Sequence, residues 1–428
     1  MPKKSALSEL KRRLKGSVKT DADSLYWKSF DSSKLSFPIE AVIQPKNDRE
    51  IGTLLKLANT YKVPVTTRGS GTCLTGAASP KEGGWVLDLS GWKKIRVDRE
   101  TGMAYVETGA VLETIKKRAE RVGWYYPPDP SSKRFCTIGG TIACNAGGMT
   151  GAKYGVTRDY IYALEGFLPT GEFVRWASDV RKYVSGYNMK DLWIGSEGTL
   201  GVITRAVLRL IPKPPLRWTL LTAFKSDAKA LAAIRALTKD RIVPAILEFL
   251  DDETVLCAER RTGKPFFPGV GTTPMVLLEL DGHKESLERD RKHVLAWAKE
   301  RGVKFSETYD AEEAEKLWAV RRQSSPAMYE LGNTKLNEDI VVPLRKTAQL
   351  IRFVNQLKKE TGLAIPTFGH AADGNFHVNI MFNRGDKKQE RIAEKAVVKL
   401  MKTVVAMGGA ITGEHGVGLA KSPFLKFQ

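Results

Sequence analysis

Short apolar runs and amphipathic stretches alternate along the first half of the chain. Residues 63–67 are rich in β-branched side chains and predict a buried strand, and further strands are predicted at 41–44, 85–89, 95–97, 103–107 and 202–210. After Asp48, which can cap a helix, apolar residues recur at the spacing of one helix face, at Ile51, Leu54, Leu55 and Ala58. Another helix is predicted at 111–122. Because these elements follow no regular βαβ repeat, the pattern predicts an α+β fold.

The second half begins after the proline-rich residues 212–215 and predicts an antiparallel sheet covered by helices. Its order follows a ferredoxin-like split βαβ unit, with strands at 218–224, 245–250, 275–281 and 303–308 and helices at 227–238 and 284–301. A helix at 311–331, a strand at 339–342 and a helix-like stretch at 386–407 come later. We therefore expect a poorly packed lead-in with a short helix at 1–36, a first domain at 37–213 and a second domain at 214–428.

Composition argues against several classes of protein. No run approaches the roughly 18 apolar residues that a membrane span needs. Residues 1–20 are basic and polar, without the apolar core of a secretory signal. The cysteines are far apart and form no Cys-x-x-Cys pair, at Cys73, Cys136, Cys144 and Cys257. That spacing argues against a zinc knuckle, an iron–sulfur motif and a disulfide framework, so we expect a cytoplasmic protein.

The formal net charge of +20 is unusually high. Nucleic acid, an anionic membrane surface or an acidic partner could each account for it. The basic residues are spread along the chain, with the densest groups at 3–19 and 386–407, and the sequence holds no recognisable nucleic-acid-binding module. A well-solvated surface is therefore the first interpretation. No nucleic-acid partner is expected, and peripheral contact with anionic lipid is the functional alternative.

Three glycine-rich segments carry the first candidate chemistry. Residues 68–72, Arg-Gly-Ser-Gly-Thr, follow a predicted strand, and Thr75 and Gly76 come soon after. Glycines allow backbone N–H groups to converge on a ligand, and the hydroxyls of Ser70, Thr72 and Thr75 complete a cradle for a phosphate or diphosphate. The spacing fits neither the Walker A motif nor the dinucleotide fingerprint, so a tight turn rich in small residues is the alternative.

The second segment, residues 127–155, has a proline-rich approach and then a run of small residues at 137–148. Prolines stiffen the approach, and small residues let a large flat ligand lie against the backbone. Long structureless loops are rare in compact domains unless they bind something, so we expect a binding segment here. The third segment, residues 192–203, again combines closely spaced glycines with a following strand.

Two of the five histidines lie in a motif at residues 369–379. Its Asp373-Gly374 pair predicts a hairpin turn, so His370 can meet His377 across that turn. Alternation along the following strand places His377 and Asn379 on one face. Two imidazoles so placed are candidate metal ligands. A hydrogen-bonded structural role is the alternative for each histidine alone.

A second motif, residues 412–418, has glycines that expose the pair Glu414-His415 at a loop. Two histidines and one carboxylate would leave coordination positions on a metal ion open for a substrate. The two motifs therefore predict a polar site in the last part of the chain.

In this order, the three glycine segments resemble the flavin domain of the vanillyl-alcohol oxidase and p-cresol methylhydroxylase type. Nearly the whole chain resembles the FAD-linked D-2-hydroxy-acid dehydrogenases, which include D-lactate dehydrogenases and the glycolate oxidase flavin subunit. The resemblance implies a two-part FAD-binding domain followed by a ferredoxin-like antiparallel-sheet cap domain. The FAD contacts that it implies are Arg68, Gly69, Ser70, Gly71, Thr72, Thr75, Gly76, Pro128, Asp129, Thr137, Gly139, Gly140, Asn145, Gly147, Gly148, Gly195, Glu197, Gly198, Gly201 and Ile203.

The resemblance also implies a substrate site. The ligands that it implies for a divalent metal ion of the zinc, manganese or iron type are His370, His377 and Glu414. His415 is implied as the catalytic base. Arg321 is implied as the arginine that binds the substrate carboxylate, with Arg322 as its competitor. Lys335 and Asn379 are further substrate-side candidates.

These groups imply oxidation of a D-2-hydroxy acid, such as D-lactate, D-2-hydroxyglutarate or glycolate, to the 2-oxo acid. The metal would lower the pKa of the substrate hydroxyl, His415 would take the proton, and the flavin would accept a hydride equivalent. Electrons are then expected to pass to a separate acceptor: a quinone, an electron-transfer flavoprotein, a cytochrome or an iron–sulfur subunit. The alternatives are a flavin subunit with little activity alone and a related alcohol or aldonolactone oxidase.

The sequence departs from the family pattern in two respects. No histidine precedes His283, which excludes an FAD link through a histidine of the flavin domain, and Cys73 is expected to be a packed thiol rather than a thioether link. Relatives continue past the Gly-Glu-His-Gly motif with a tail that returns to the flavin domain, whereas this chain ends at Gln428. We expect a less enclosed flavin pocket or a partner that completes it. A homodimer is also among the expected assemblies.

Overall fold

The computed structural model describes residues 3–428, with side chains from residue 6 onward. The helices, numbered in chain order, are α1 Lys3–Arg13, α2 Ala22–Lys28, α3 Asp48–Tyr61, α4 Leu112–Glu120, α5 Ile138–Cys144, α6 Gly151–Tyr154, α7 Met189–Trp193, α8 Asp227–Lys239, α9 Asp252–Thr262, α10 Lys284–Arg301, α11 Ala311–Ala327, α12 Thr347–Thr361, α13 Lys387–Ala406 and α14 Gly418–Lys421. Across residues 3–428 no helix is both long and apolar enough to cross a membrane.

The strands are β1 Val18–Lys19, β2 Ala41–Ile43, β3 Val65–Arg68, β4 Trp85–Asp88, β5 Ile95–Asp98, β6 Met103–Glu107, β7 Trp124–Tyr125, β8 Ile161–Phe167, β9 Phe173–Trp176, β10 Val202–Arg209, β11 Ile211–Pro212, β12 Leu216–Ala223, β13 Ile246–Leu250, β14 Met275–Gly282, β15 Lys304–Thr308, β16 Thr334–Val341, β17 Thr367–His370 and β18 Asn375–Phe382. The predicted mixture of helices and strands is confirmed.

The described residues form two compact units. The first comprises residues 3–147, 155–213 and 414–422, and the second comprises residues 148–154, 214–413 and 423–428. The chain therefore contributes a short piece to the second unit before its main crossing at residue 214, and it comes back to the first unit at residue 414. The predicted bounds of the two domains, 37–213 and 214–428, stay a prediction.

Two sheets organise the first unit. In one, β2, β4 and β3 run parallel in the order β1-β2-β4-β3, while β1 pairs antiparallel with β2. The other has the order β5-β6-β10-β8-β9 and is antiparallel throughout. The first glycine segment leaves the end of β3 at Arg68. β3 is less buried than its sequence predicted, because it is an edge strand of its sheet.

Helix α1 belongs to the core of the first unit. Its Ala6 and Leu10, and Leu14 just after it, are fully buried with Ile51 and Leu54 of α3. These apolar residues of α1 repeat every four positions and so form one helix face. The prediction of a poorly packed lead-in is therefore wrong for α1. Residues 1 and 2, which also fell in that predicted segment, lie outside the described residues.

Two helix starts differ from the sequence predictions. Asn47, rather than Asp48, caps α3, because its side chain accepts a hydrogen bond from the backbone N–H of Glu50 at 3.1 Å. The small-residue run at 137–148, expected to bind as a loop, contains the helix α5. Thr137 caps α5 through a 3.4 Å hydrogen bond from the N–H of Gly140. Glycine has low helix propensity, which hid this helix in the sequence.

The second unit is built on a sheet of seven strands in the order β15-β12-β14-β13-β17-β18-β16. All neighbouring strands in it are antiparallel, as the sequence predicted. One face packs apolar side chains against α8, α10, α12 and α13, among them Trp218, Phe249, Val276, Phe376 and Ile380. This face is the larger core of the unit.

The opposite face of the same sheet is partly polar. Strand register brings buried Glu248 of β13 beside His370 of β17, and His377 of β18 beside Asp339 of β16. Helices α9 and α11 pack elsewhere on this side over a second apolar cluster. The sequence did not predict α9, which Asp251 caps by accepting a hydrogen bond from the N–H of Thr254 at 2.8 Å.

Candidate functional site

A cavity of about 430 Å³ in the first unit is lined by all three glycine segments. Its volume lies in the usual range for small-molecule and cofactor sites, about 300–1,000 Å³. The predicted FAD contacts that line it are Arg68, Gly69, Ser70, Gly71, Thr72, Thr137, Gly139, Gly140, Glu197, Gly198, Gly201 and Ile203. Residues predicted from three separate stretches of sequence therefore meet around one space.

Two glycines in this lining are required by close packing. A Cβ atom on Gly139 would lie 2.6 Å from the Cβ of Thr108 and 2.9 Å from its backbone oxygen. A Cβ atom on Gly69 would lie 2.2 Å from the Oγ1 of Thr137. Glycine lets these backbone segments approach each other closely. The cradle therefore fits a ligand that is held by backbone, as the diphosphate and ring of FAD would be.

Arg68 holds the first glycine segment in place. Its side chain is buried, and its Nη1 donates to the backbone oxygen of Phe30 at 2.6 Å. Burial lowers the pKa of Arg68, although the carboxylates of Asp31 and Asp88 oppose that shift. Gly71 has φ +73°, and a Cβ there would meet the guanidinium of Arg68 at 2.1 Å. The loop can therefore fold over this arginine only with glycine at position 71.

The remaining predicted FAD contacts are not in the cavity lining; they are Thr75, Gly76, Pro128, Asp129, Asn145, Gly147, Gly148 and Gly195. Several have another local role. Asp129 forms ion pairs with Lys116 at 2.9 Å and Lys133 at 2.8 Å. The Oδ1 of Asn145 accepts from the N–H of Arg158 at 2.9 Å. FAD contact by these residues stays a prediction.

The cavity also contains side chains that the sequence did not assign to it. Thr108, Ser132, Phe135 and Cys144 line it, as does Cys73, which the sequence placed in the first segment as a packed thiol. Hydrogen bonds from Cys144 and Thr75 outweigh burial and lower the pKa of the Cys73 thiol to about 6. This hydrogen bond between two free thiols joins segments that lie far apart in sequence, so the spacing of the cysteines alone could not reveal it.

The segment 414–422 brings the second histidine motif to this cavity. Glu414 and His415 both line it, with the His415 Nε2 at 3.8 Å from the Glu414 Oε1. The backbone oxygen of Thr75 accepts hydrogen bonds from the N–H groups of Leu419 at 2.8 Å and Ala420 at 2.9 Å. The first unit therefore holds the predicted base, His415, at the wall of the glycine-lined space.

A buried polar cluster lies on one face of the sheet in the second unit. His370 and His377 are both nearly inaccessible to solvent, and their rings are perpendicular with centroids 5.4 Å apart. The turn between them contains Gly374 at φ +81°, so the predicted hairpin is present. The two imidazoles therefore meet as the sequence predicted, and together they offer two nitrogen ligands suited to a divalent cation.

Glu248 links this cluster to Arg321. Its Oε1 lies 2.5 Å from the His370 Nδ1, and its Oε2 accepts from the Arg321 Nε at 2.6 Å. Burial alone would raise the pKa of Glu248, but the adjoining His370 and Arg321 outweigh it and hold the pKa at about 2. The carboxylate is therefore ionised, and it anchors both partners.

Asp339 anchors Thr412 and Gly413, the last residues of the long segment 214–413 of the second unit. Its side chain is fully buried, and its Oδ2 accepts from the Thr412 Oγ1 and the Gly413 N–H, both at 2.9 Å. Its Oδ1 accepts from the Asn375 Nδ2 at 2.6 Å. A Cβ on Gly413 would lie 1.9 Å from that same Nδ2, so only glycine fits. Asp339 therefore fixes the residue that immediately precedes Glu414.

The other predicted substrate residues have different surroundings. Burial lowers the pKa of Lys335 to about 8, and its Nζ donates to the Ser325 Oγ at 2.6 Å. The Nδ2 of buried Asn379 donates to the His377 backbone oxygen at 2.9 Å. Arg322 is exposed and forms an ion pair with Glu315 at 2.7 Å, which favours Arg321 over Arg322 as the substrate-binding arginine.

Sequence reasoning missed Glu248 and Asp339. Glu248 lies inside a run of apolar strand residues, Ile-Leu-Glu-Phe-Leu, and Asp339 directly precedes the apolar run Ile-Val-Val. Acidic residues are almost never fully buried unless they are paired, so a charge in the middle of an apolar strand is a signal for a buried partner. That signal was present, but it does not say which partner pairs with the carboxylate.

Comparison with known proteins agrees with this arrangement. A family described as "FAD binding domain" matches residues 39–177, and one described as "FAD linked oxidases, C-terminal domain" matches residues 213–428. The fold and the glycine-lined cavity thus define a flavin-dependent oxidoreductase with an FAD-binding domain. The second match extends over half of the sequence, and the chain belongs to the family of FAD-linked oxidases.

Individual proteins support the assignment to this family. The chain is 37% identical to the glycolate oxidase subunit GlcD of Bacillus subtilis (strain 168), over 91% of this chain and 83% of that protein. It is 35% identical to a D-lactate dehydrogenase of Anaerostipes hadrus, over 90% of this chain and 83% of that protein. Among solved structures, p-cresol methylhydroxylase with substrate bound superposes with a TM-score of 0.79 at 16% identity, covering 97% of this chain and 89% of that one. That last likeness concerns the fold.

Proposed function

We propose that this protein oxidises a D-2-hydroxy acid, of the D-lactate, glycolate or D-2-hydroxyglutarate type, to the 2-oxo acid with FAD as the oxidant. The observation that carries the proposal is that Glu414 and His415 line the same cavity as the three glycine segments. A candidate base therefore lies at the wall of the space that suits FAD. The names of the relatives, a glycolate oxidase subunit and a D-lactate dehydrogenase, support the substrate class.

In this proposal the glycine segments hold the cofactor. The backbone of residues 69–72 and of residues 139–140 binds the FAD diphosphate, and residues 197–203 lie along the flavin. The close approaches at Gly69 and Gly139 support this arrangement of the backbone, since a Cβ atom there would collide with Thr137 or Thr108 and push the segments apart. When bound, FAD accepts two electrons as a hydride equivalent.

We also propose that His370, His377 and Glu414 hold a divalent cation of the zinc, manganese or iron type. The perpendicular pair of buried imidazoles and the carboxylate partner of His370 fit such an ion, because metal-bound histidines usually bind a carboxylate through their other nitrogen. Asp339 fixes Gly413, to which Glu414 is covalently joined. The cation would lower the pKa of a hydroxyl that it binds.

The protein's own groups then complete the reaction. Arg321 and Lys335 bind the substrate carboxylate, since both are partly buried cations, and Asn379 is a further candidate contact on the same strand as His377. His415 removes the proton of the 2-hydroxyl while the 2-carbon loses a hydride equivalent. The products are the 2-oxo acid, the protonated base and one hydride equivalent, that is one proton and two electrons, which FAD would accept, so the reaction balances.

A second candidate function is that of a flavin subunit that needs a partner for activity. It is favoured by the relative named as a glycolate oxidase subunit. In either case the electrons would leave to a separate acceptor, a quinone, an electron-transfer flavoprotein, a cytochrome or an iron–sulfur protein. A cytoplasmic location with peripheral membrane contact is consistent with the net charge of +20.

The proposal is tested by rapid mixing of the FAD-loaded protein with substrate under anaerobic conditions. His415→Ala should slow flavin reduction about 10²–10⁴-fold, the usual contribution of a general base. It should leave FAD content unchanged. Treatment with a chelator should slow reduction in the wild-type protein, and added metal should restore it. Wild-type rates in His415→Ala, or full activity after removal of the metal, would contradict the proposal.

A further inference from the structure

Glu248 is bonded on both sides inside the second unit. One oxygen lies 2.5 Å from the Nδ1 of His370, the other lies 2.6 Å from the Nε of Arg321, and the Glu248 side chain has no exposed surface. The register of β13 and β17 sets Glu248 directly opposite His370. One carboxylate therefore contacts both a proposed metal ligand and the proposed substrate-binding arginine.

We propose that Glu248 is a positioning residue that couples the metal site to the substrate site, by orienting His370 with one oxygen and Arg321 with the other. The inference rests on the proposed function, because it takes His370 as a metal ligand and Arg321 as the carboxylate-binding group. It adds a dependence between the two: cation affinity and substrate affinity both require the same carboxylate.

On the histidine side, Glu248 decides which ring nitrogen carries the proton. A carboxylate oxygen accepts hydrogen bonds, and the Glu248 Oε1 lies 2.5 Å from the His370 Nδ1, so this contact places the proton of the ring on Nδ1. The Nε2 then has the lone pair that a metal ion needs. The bond also fixes the rotation of the ring, which lies perpendicular to that of His377. Without this acceptor, the proton could move to the other ring nitrogen of His370, and the ring could rotate.

On the arginine side, Glu248 binds the Nε edge of the guanidinium. The guanidinium lies over the ring of Phe368, with its central carbon 4.3 Å from the ring centroid. These two contacts hold the group in place. The Nη groups point away from the Nε and are the donors that can bind a carboxylate in a bidentate manner.

Glutamine at this position cannot serve both partners. It has nearly the shape of glutamate, but it has one acceptor oxygen and a donor amide in place of two acceptor oxygens. If the oxygen faces His370, the amide meets the donor Nε of Arg321. If the oxygen faces Arg321, the amide forces the His370 Nδ1 to accept, and the proton moves to the nitrogen that should bind the metal. Either arrangement disables one site.

Glu279 offers a matched control. It is also a buried glutamate of the same sheet, on the strand beside β13, and it accepts from the Thr219 Oγ1 at 2.9 Å and the Trp318 Nε1 at 2.6 Å. Those hydrogen bonds involve neither His370 nor Arg321. Glu279→Gln therefore reports the general cost of removing a buried carboxylate from this face.

The experiment measures binding of Co²⁺ to the FAD-loaded, substrate-free protein by calorimetry, and the KM for D-lactate or for whichever hydroxy acid reduces the flavin. We expect Glu248→Gln to weaken Co²⁺ binding about 10–100-fold, the usual effect of losing an outer-shell partner, or to raise KM about tenfold or more through the arginine. Glu279→Gln should change neither. Glu248→Asp, which keeps the charge but is one methylene shorter, should shift at least one of them in the same direction.

His370→Ala separates this inference from the proposed function. In that background Glu248→Gln should cause no further loss of Co²⁺ affinity, because Glu248 contacts the proposed metal site through the His370 Nδ1. If His370→Ala itself leaves Co²⁺ binding unchanged, the proposed metal site is wrong. If His370→Ala abolishes binding, yet folded Glu248→Gln and Glu248→Asp keep wild-type Co²⁺ affinity and KM, the positioning role of Glu248 is overturned.

Discussion

The carboxylate of Glu197 binds the backbone N–H of Val417 at 2.7 Å, across a separation of 220 residues. The next N–H, that of Gly418, donates to the other oxygen at 2.8 Å. Glu197 belongs to the third glycine segment, and Val417 follows His415 by two residues. Within the first unit, the segment that carries the proposed base is therefore bonded to the same loop that lines the proposed flavin cavity.

FAD binding should depend on the close packing at Gly139. In Gly139→Ala the added Cβ would lie 2.6 Å from the Cβ of Thr108. Overpacking of this kind usually costs about 1–3 kcal/mol, so we expect lower FAD content and a raised Kd for FAD. Gly91→Ala is the control, because its Cβ would meet nothing within 4 Å. The ratio of flavin to protein absorbance measures the effect. Equal FAD content in the two variants would show that the Gly139 cradle does not hold FAD.

The thiol of Cys73 should report occupancy of the cavity. Its pKa is lowered to about 6, so above that pH it is largely the thiolate, the reactive form. FAD-free protein should therefore be alkylated by iodoacetamide at Cys73 at neutral pH, and FAD should slow the reaction. Cys257 is the internal control, because burial raises the pKa of its thiol to about 12. Peptide mass spectrometry measures both sites. Equal labelling of Cys73 with and without FAD would place the cofactor elsewhere.

Arg321 and Arg322 should differ in their effect on substrate binding. Arg321→Lys keeps the charge but loses the planar fork that can bind a carboxylate through two hydrogen bonds. Charged hydrogen bonds contribute about 1.5–3 kcal/mol, so KM should rise about tenfold or more. Arg322→Lys should leave KM unchanged, since Arg322 is paired with Glu315 at an exposed site. The assignment is wrong if the two variants behave alike in steady-state kinetics.

Substrate affinity should fall at alkaline pH because of Lys335. Burial lowers its pKa to about 8, so the ammonium form predominates below that pH and the neutral amine above it. The neutral amine attracts a carboxylate less, so KM should rise as the pH passes upward through about 8. Arginine stays charged throughout this range, so Lys335→Arg should flatten the alkaline rise. A KM profile that is the same for both proteins would remove Lys335 from the substrate site.

Local patterns predicted most of the elements. Strand β6 and helix α10 have the predicted bounds, because alternation and helical periodicity are properties of the sequence itself. The hairpin between His370 and His377 was predicted from its Asp-Gly turn. Helix α5 was missed because two of its seven residues are glycines, which have low helix propensity, and the cap and packing that stabilise it are visible only in the structure.

The candidate site was predicted in part. The glycine segments, the paired histidines and the Glu414-His415 motif were found from their residue types. Glu248 was not, because its role depends on His370, which lies 122 residues later in the chain. The pairing of Glu197 with Val417 was missed for the same reason. Contacts between residues so far apart depend on the order of the strands in the sheet and on the return of residues 414–422 to the first unit. The spacing of residues within a motif shows neither.

The most direct test of the central claim is anaerobic titration of the FAD-loaded protein with D-lactate, glycolate and D-2-hydroxyglutarate, with the visible absorbance of the flavin as the signal. The account predicts that at least one of these acids bleaches the flavin and is recovered as its 2-oxo acid. It also predicts that L-lactate leaves the spectrum unchanged. A flavin that dithionite reduces but none of the three acids bleaches would contradict it.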